Sequence, residues 1–208
     1  MIEFNEEKHE YRVNGVVYPS VTEVLEHLTA PGFSKINPAI LEEAKERGTA
    51  IHEITQDIDL GMPPEEIADY DLGYVTAYLS FLDDYAPDWE LVEYRFFDEF
   101  MGYCGTIDRV GKIDGKMCVL DIKTTASPST EQSISVCAQT AAYATNFVGD
   151  YKRYALYLHS DGTYKLLDCE DYEEQKHFSG FGVFLACFNL HSYITNTKKY
   201  KYRAKKEG

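Results

Sequence analysis

The alternation of apolar and polar residues predicts a hairpin followed by a helix at the start of the chain. Residues 11–13 and 16–18 flank Asn14-Gly15, the dipeptide preferred by a two-residue turn with positive φ. Ser20 can cap the helix that follows, and Glu23, three residues later, completes a capping box.

Two further helices are predicted before the character of the chain changes. Asn37-Pro38 supplies a cap and a proline at the first helical position, so a helix is expected from there to about Ile58. This helix carries Gly48 and His52 in its middle. The run Gly61-Met62-Pro63-Pro64 breaks the pattern, and residues 72–85 form the next predicted helix.

The second part of the chain is patterned as strands. A strand is predicted at residues 90–97, and two hairpins are predicted across Asp114-Gly115 and Asp161-Gly162. The hairpin strands are 103–113 with 116–123, and 151–159 with 163–167. Helices are predicted at 129–147 and from Asp171 to about Asn196.

This order of elements predicts an α/β fold, with a central mixed β-sheet flanked by helices and a helical N-terminal part. Residues 1–197 are assigned to a single domain and residues 198–208 to a basic C-terminal tail. The tail interleaves lysine and arginine with Tyr200 and Tyr202. Two interpretations stay open for it: a segment that follows a phosphate backbone while its rings stack on bases, or a solvated terminus.

The formal net charge of −15 argues against a protein that coats nucleic acid nonspecifically, because such binding needs lysine and arginine to neutralise phosphates. It does not exclude a nuclease, since carboxylates that hold metal ions add negative charge that bound cations offset. The sequence contains no apolar run of about 18 residues, so no membrane partner is predicted. The acidic first residues do not resemble a signal peptide. Five scattered cysteines without C-x-x-C spacing favour free thiols in a reducing, cytoplasmic location.

Two neighbouring predicted strands carry acids at positions where a half-buried strand usually places apolar residues. Asp108 lies in the middle of the first strand, and Asp121 and Lys123 follow an apolar run in the second. Side chains alternate along a strand, so Asp121 and Lys123 are expected on one face, and the hairpin connection can bring Asp108 beside them. The alternative is an exposed hairpin whose wet face carries ordinary charged residues.

A group of this kind suits a hard divalent cation. Two close carboxylates repel each other unless a cation lies between them, and oxygen ligands suit Mg²⁺ or Mn²⁺. Such an ion can activate a water molecule, hold a phosphate and stabilise a leaving oxygen, while Lys123 adds positive charge beside the attacked phosphate.

Four motifs in order resemble those of the PD-(D/E)XK nuclease superfamily, and look closest to its RecB-like exonuclease branch. The motifs are Arg47-Gly48-Thr49-Ala50-Ile51-His52, Gly105-Thr106-Ile107-Asp108, Leu120-Asp121-Ile122-Lys123-Thr124 and Gln139-Thr140-Ala141-Ala142-Tyr143. The resemblance spans about residues 11–158, and it implies a restriction-endonuclease-like core.

The resemblance implies a role for each matching residue. His52, Asp108, Asp121 and the backbone carbonyl of Ile122 would hold the metal, and Lys123 would be the catalytic lysine. Gln139 and Tyr143 would border the site and position DNA, and Glu93 matches a position at which members often carry an acid.

Each of these residues also has an ordinary interpretation. His52 can be a plain helix histidine, Gln139 and Tyr143 can simply pack against the sheet, and Glu93 can be solvated. Arg47 can contact phosphate or pair with Glu43, four residues before it.

Neither an iron–sulfur cluster nor ATP hydrolysis by a P-loop is predicted for this chain. Some members of the branch bind an iron–sulfur cluster on four cysteines, but only Cys169 and Cys187 lie late in this chain, so no cluster is predicted. No P-loop motif occurs, so a helicase or recombination partner would be a separate protein.

The expected function is metal-dependent hydrolysis of DNA, as an exonuclease in recombination, repair or phage DNA processing. The alternatives are a structure-specific endonuclease, a catalytically silent nucleic-acid-binding or assembly module, and an acidic protein that mimics DNA.

Overall fold

The computed structural model describes residues 2–6, 8–33, 36–62, 66–125 and 127–206, with side chains described as far as residue 196 except at 33. The strands are β1 (Ile2–Asn5), β2 (Glu10–Val13), β3 (Val16–Tyr18), β4 (Asp88–Asp98), β5 (Tyr103–Ile113), β6 (Lys116–Lys123), β7 (Lys152–Leu158) and β8 (Tyr164–Asp168). The helices are α1 (Val21–Phe33), α2 (Pro38–Asp59), α3 (Leu72–Tyr85), α4 (Thr130–Ala144), α5 (Cys169–Lys176) and α6 (Gly180–Lys206).

The main sheet has five strands in the order β4-β5-β6-β7-β8. Only β6 and β7 pair in parallel, and the other neighbours are antiparallel, so the sheet is mixed as the sequence predicts. Helix α4 forms the crossover between the two parallel strands, a connection that a short turn cannot make. A separate antiparallel sheet contains β1, β2 and β3.

The two faces of the main sheet are covered by different helices. On one face, residues of α1, α4 and α6 pack with Ile107, Val110 and Val119. On the other face, residues of α2 and α3 pack with Leu120 and Ile122. The α/β architecture with helices on both sides is therefore present.

Local sequence signals explain where many of the elements begin and turn. Asn14-Gly15 and Asp114-Gly115 both have positive φ at each residue, as a two-residue hairpin turn requires. Ser20 Oγ accepts a hydrogen bond from the backbone N–H of Glu23, and Asn37 caps α2 through Ala39. These predicted boundaries are confirmed.

Two predictions about the ends of the chain were wrong. Strand β1 was not predicted. It pairs with β2, so the N-terminal part contains a three-stranded sheet in addition to its helices. The predicted closing helix is two helices, because His177 adopts a left-handed conformation and ends α5, and Ser179 then caps α6 by accepting from Gly182. The side chains of the predicted basic tail, residues 198–208, and part of the predicted break at 61–64 lie outside the described residues.

Among the described helices, none is both long enough and apolar enough to cross a bilayer.

Candidate metal centre

The centre lies in a gap where β5 and β6 separate. Their paired residues run from Ile113 with Lys116 to Arg109 with Leu120, and in that register Asp108 and Asp121 come next. Instead of another backbone pair, the Asp108 carboxylate accepts a hydrogen bond of 2.6 Å from the backbone N–H of Ile122. The Asp108 carboxylate therefore lies at the point where the backbone pairing of β5 with β6 ends.

Strand β5 changes face at this point. Ile107 and Val110 are three residues apart and both belong to the core on the α1, α4 and α6 side, which strict alternation does not allow. On the neighbouring strand β4, Glu93 has a φ of 49°, a conformation that costs a non-glycine residue energy. Because of this rotation, the gap is open to helices on both faces of the sheet.

Three side chains converge in the gap and form what we call the metal cluster: His52, Glu93 and Asp108. One potential ligand atom from each lies within 4.8 Å of the others. His52 Nδ1 is 3.6 Å from Glu93 Oε1 and 3.6 Å from Asp108 Oδ2. The second ring nitrogen, Nε2, is 3.1 Å from the carbonyl oxygen of Ile122.

Asp121 and Lys123 lie on one face of β6, as strand alternation predicts. Lys123 Nζ is 2.7 Å from Asp121 Oδ2. The Asp121 side chain is only 1% exposed, and neither of its oxygens accepts a hydrogen bond of good geometry from the described residues. A buried carboxylate in this condition is costly unless a further cation or water satisfies it.

Helix α4 supplies the residues that hold Lys123. Gln139 Oε1 accepts a hydrogen bond of 3.3 Å from Lys123 Nζ, and Gln139 Nε2 donates one of 2.7 Å to the Tyr143 hydroxyl. The two residues are four apart and both buried, so the helix presents them to the sheet on one face. The pair packs against the sheet and Gln139 contacts Lys123, while a role in positioning DNA stays a prediction.

Burial and mutual repulsion shift the ionisation of the cluster. Burial and the neighbouring Glu93 raise the pKa of Asp108, against the opposing effects of His52 and Lys123. Burial also raises the pKa of Asp121, to about 6, although Lys123 opposes the rise. For His52, burial lowers the pKa, but Asp108 and Glu93 outweigh it and raise the pKa to about 9.

Arg109 is a residue of the centre that the sequence analysis missed. Its side chain is fully buried and ion-paired with Asp59 and Glu93, and it donates to Thr55 Oγ1 and to the Asp108 carbonyl oxygen. A signal was available: residues 52, 55 and 59 have helical spacing, and a basic residue in an apolar strand needs a buried acid.

Comparison with known protein families finds no matching family model, and comparison with curated proteins finds no match.

The remaining predicted residues are placed as follows. Glu93 is not simply solvated, since it contacts both His52 and Arg109. Arg47 lies over the ring of Tyr74, 5.6 Å from its centroid, and no ion pair joins it to Glu43 within the described part of the chain. Of the two alternatives for Arg47, the pair with Glu43 is therefore not formed.

The donor set fits a hard or borderline divalent cation. The metal cluster offers two carboxylates and one imidazole, with the Ile122 carbonyl against His52 and the Asp121 carboxylate one residue before Ile122 on β6. Such donors suit Mn²⁺ and Mg²⁺ better than a soft metal. The unsatisfied oxygens of Asp121 are the observation that most favours a bound cation. Among the described residues, the carboxylates of Asp59, Glu93, Asp108 and Asp121 pair with Arg109, Lys123 and protonated His52, so four acids face three cations.

Proposed function

We propose that the protein is a divalent-metal-dependent nuclease that hydrolyses DNA phosphodiester bonds. The observation that carries the proposal is the metal cluster, whose Asp108 accepts a hydrogen bond from Ile122, the residue between the ion-paired Asp121 and Lys123. The four ordered sequence motifs support the same assignment, because their residues are the ones that meet there.

The side chains divide into metal holders and a phosphate-directed cation. His52, Glu93, Asp108, Asp121 and the Ile122 carbonyl would hold Mg²⁺ or Mn²⁺. When bound, the ion supplies Lewis-acid activation of a water molecule and of the phosphate. Lys123 keeps its charge, because Asp121 and Asp108 raise its pKa against the effect of burial.

Two contacts fix the position of the Lys123 ammonium. Asp121 attracts its ammonium and Gln139 Oε1 accepts one hydrogen bond from it, which leaves further N–H groups for a phosphate oxygen or the attacking water. A cation fixed in this way can stabilise the negative charge that develops on the phosphate without first having to reorient.

A catalytically silent module explains the centre less well. Asp121 is buried and has a raised pKa although Lys123 pairs with it, so in a protein that binds no metal its charge lowers stability. An acidic DNA mimic has the same difficulty, because mimicry needs exposed charge and this carboxylate is buried.

The choice of DNA as substrate, and of exonuclease rather than endonuclease action, rests on the resemblance to the RecB-like branch. The same holds for a role in recombination, repair or phage DNA processing and for a helicase or recombination partner.

The proposal is tested by comparing wild type with Asp121→Ala in Mg²⁺, Mn²⁺ and EDTA. Wild type should degrade DNA only with metal. Asp121→Ala should lose activity by about 100-fold or more, at least as much as residues that merely support metal ligands. Asp98→Ala is the matched control, since Asp98 accepts from Met101 in the β4–β5 turn and contacts none of the centre. Equal activity in Asp121→Ala and wild type would move the chemistry elsewhere.

A further inference from the structure

We infer that Arg109 is a positioning residue of the metal centre, one that sets the mutual geometry of His52, Glu93 and Asp108. The inference rests on the proposed function, since it concerns how the metal-holding groups are kept in place. Arg109 itself has no exposed side-chain surface and so cannot contact DNA or bulk solvent directly.

On one side, Arg109 fastens the helix that carries His52. Its guanidinium pairs with Asp59 and donates a hydrogen bond of 3.1 Å to Thr55 Oγ1. Thr55 and Asp59 lie three and seven residues after His52 on α2, so all three share one helical face. Tyr78 of α3 donates to the same Asp59 carboxylate at 2.5 Å, which ties a second helix into the arrangement.

On the other side, Arg109 holds the two strand residues of the cluster. Its Nη1 donates to the Asp108 carbonyl oxygen at 2.7 Å and to Glu93 Oε1 at 3.3 Å. Glu93 Oε1 also faces His52 Nδ1, at 3.6 Å. The positive φ of Glu93 therefore occurs at a residue whose carboxylate is held by an arginine, and the contact helps offset the strain.

Stability alone does not account for an arginine at this position. A buried ion pair often contributes little more than a well-packed apolar residue would, because the charges must first be desolvated. The fork of the guanidinium, by contrast, donates in several fixed directions at once, which a flexible lysine ammonium cannot reproduce. The arrangement joins α2, β4 and β5 at the point where their ligand groups must converge.

The test measures Mn²⁺ affinity by calorimetry on the full chain for wild type, Arg109→Lys and Arg153→Lys. Arg153 is the matched control: it is largely buried and pairs with Glu173 at 2.6 Å, but it joins β7 to α5 and touches none of the metal cluster. Arg109→Lys should weaken Mn²⁺ binding by about 10- to 100-fold, as other residues that orient metal ligands do. Arg153→Lys should leave the affinity unchanged within about 2-fold.

Kinetics separate positioning from a general loss of structure. In Arg109→Lys, raising Mn²⁺ to saturation should restore the cleavage rate to within several-fold of wild type, because the defect lies in holding the ion. If Arg109→Lys does not fold, Asp59→Asn serves instead. This substitution keeps the shape of the side chain and removes the negative charge on α2 with which Arg109 pairs. The same loss of Mn²⁺ affinity is expected.

Unchanged Mn²⁺ affinity in a folded Arg109→Lys or Asp59→Asn protein would overturn the inference while leaving the metal centre intact. An equal loss in Arg153→Lys would also overturn it, because the effect would then be general destabilisation. A wild type that binds no Mn²⁺ would contradict the proposed centre, and the positioning role would fall with it.

Discussion

His52 Nε2 lies 3.1 Å from the carbonyl oxygen of Ile122, although 70 residues separate them in the chain. The contact joins the middle of α2 to the end of β6, beside the point where β5 turns away. The other ring nitrogen faces Glu93 on β4 and Asp108 on β5. One imidazole therefore touches groups from three strands, and the centre is assembled around it.

The stability of the metal-free protein should fall as the pH rises. Asp121 has a pKa raised from 3.8 to about 6. Its favourable contribution to the free energy of unfolding is therefore fully present below pH 4 and is lost as the pH rises through 6. His52 has a pKa raised from 6.5 to about 9, so its contribution is present below pH 6.5 and is lost as the pH rises through 9. Thermal unfolding in EDTA between pH 4 and 9 measures both windows.

Asp121→Asn should flatten the lower of these two windows. At pH 7 the amide removes a buried charge, so the metal-free variant should be more stable than wild type by on the order of 2–3 kcal/mol. Saturating Mn²⁺ should reverse the order, because only wild type keeps the full ligand set. Wild-type stability in EDTA that does not change between pH 4 and 7 would contradict the assignment of Asp121 as a buried carboxylate with a raised pKa.

Gln139→Leu should slow DNA cleavage by about 10-fold, the effect of losing one hydrogen bond to a charged group. The substitution keeps the volume of the side chain but removes the acceptor for Lys123 Nζ. Mn²⁺ affinity should stay at the wild-type value, since Gln139 contacts none of the metal cluster. Single-turnover rates at saturating Mn²⁺ measure the effect.

Tyr143→Phe is the control for Gln139→Leu. It removes only the hydroxyl that accepts from Gln139 and leaves the Gln139–Lys123 contact in place, so the rate should change by less than about 3-fold. A larger loss in Tyr143→Phe than in Gln139→Leu would show that the hydroxyl acts independently of Lys123.

Much of the fold follows from local signals. Three kinds of short-range preference are kept in the structure. They are the Asn-Gly and Asp-Gly hairpin turns, the helix caps at Ser20 and Asn37, and the alternation of side chains along β6. Lys123 and Asp121 are close because alternation along one strand places them so. These features depend on few residues, and sequence patterns capture them.

The missed features depend on contacts between distant segments. The left-handed residue that ends α5 is a histidine, a residue type that does not itself predict this conformation, although Ser179-Gly180 follows it. The change of face at Asp108 and the positive φ of Glu93 reverse the alternation on which strand predictions rely. Arg109 is buried by partners 50 residues earlier in the chain, on α2, which a strand pattern cannot indicate.

Two glycine substitutions in helices should have opposite effects on stability. At Gly48 an added Cβ lies 3.9 Å from Thr124 Oγ1, an ordinary contact, so Gly48→Ala should stabilise α2 by about 0.5–1 kcal/mol. At Gly73 the Cβ would lie 1.9 Å from the Ser160 carbonyl oxygen, so Gly73→Ala should destabilise by about 1–3 kcal/mol. Urea unfolding in EDTA measures both changes in stability. Equal effects of the two substitutions would contradict the packing of α3 against the β7–β8 loop, which contains Ser160.

Deletion of residues 197–208 tests the basic tail predicted from the sequence. If its lysine and arginine side chains contact phosphates, the deletion should weaken DNA binding and reduce the slope of log affinity against log salt by about 0.7–0.9 per lost contact. Binding measured at several salt concentrations, with a catalytically inactive protein, gives the slope. An unchanged slope would assign the tail to solvent.

The most direct test of the central claim is cleavage of end-labelled linear DNA and closed circular DNA by wild type and Lys123→Ala, each with Mg²⁺, Mn²⁺ or EDTA. We predict metal-dependent loss of the linear substrate alone, absent in EDTA and in Lys123→Ala. Cutting of circles as well would keep the metal centre and replace exonuclease action by endonuclease action. Cleavage that persists in EDTA, equal activity in Lys123→Ala, or no cleavage with either metal would contradict the proposed nuclease centre.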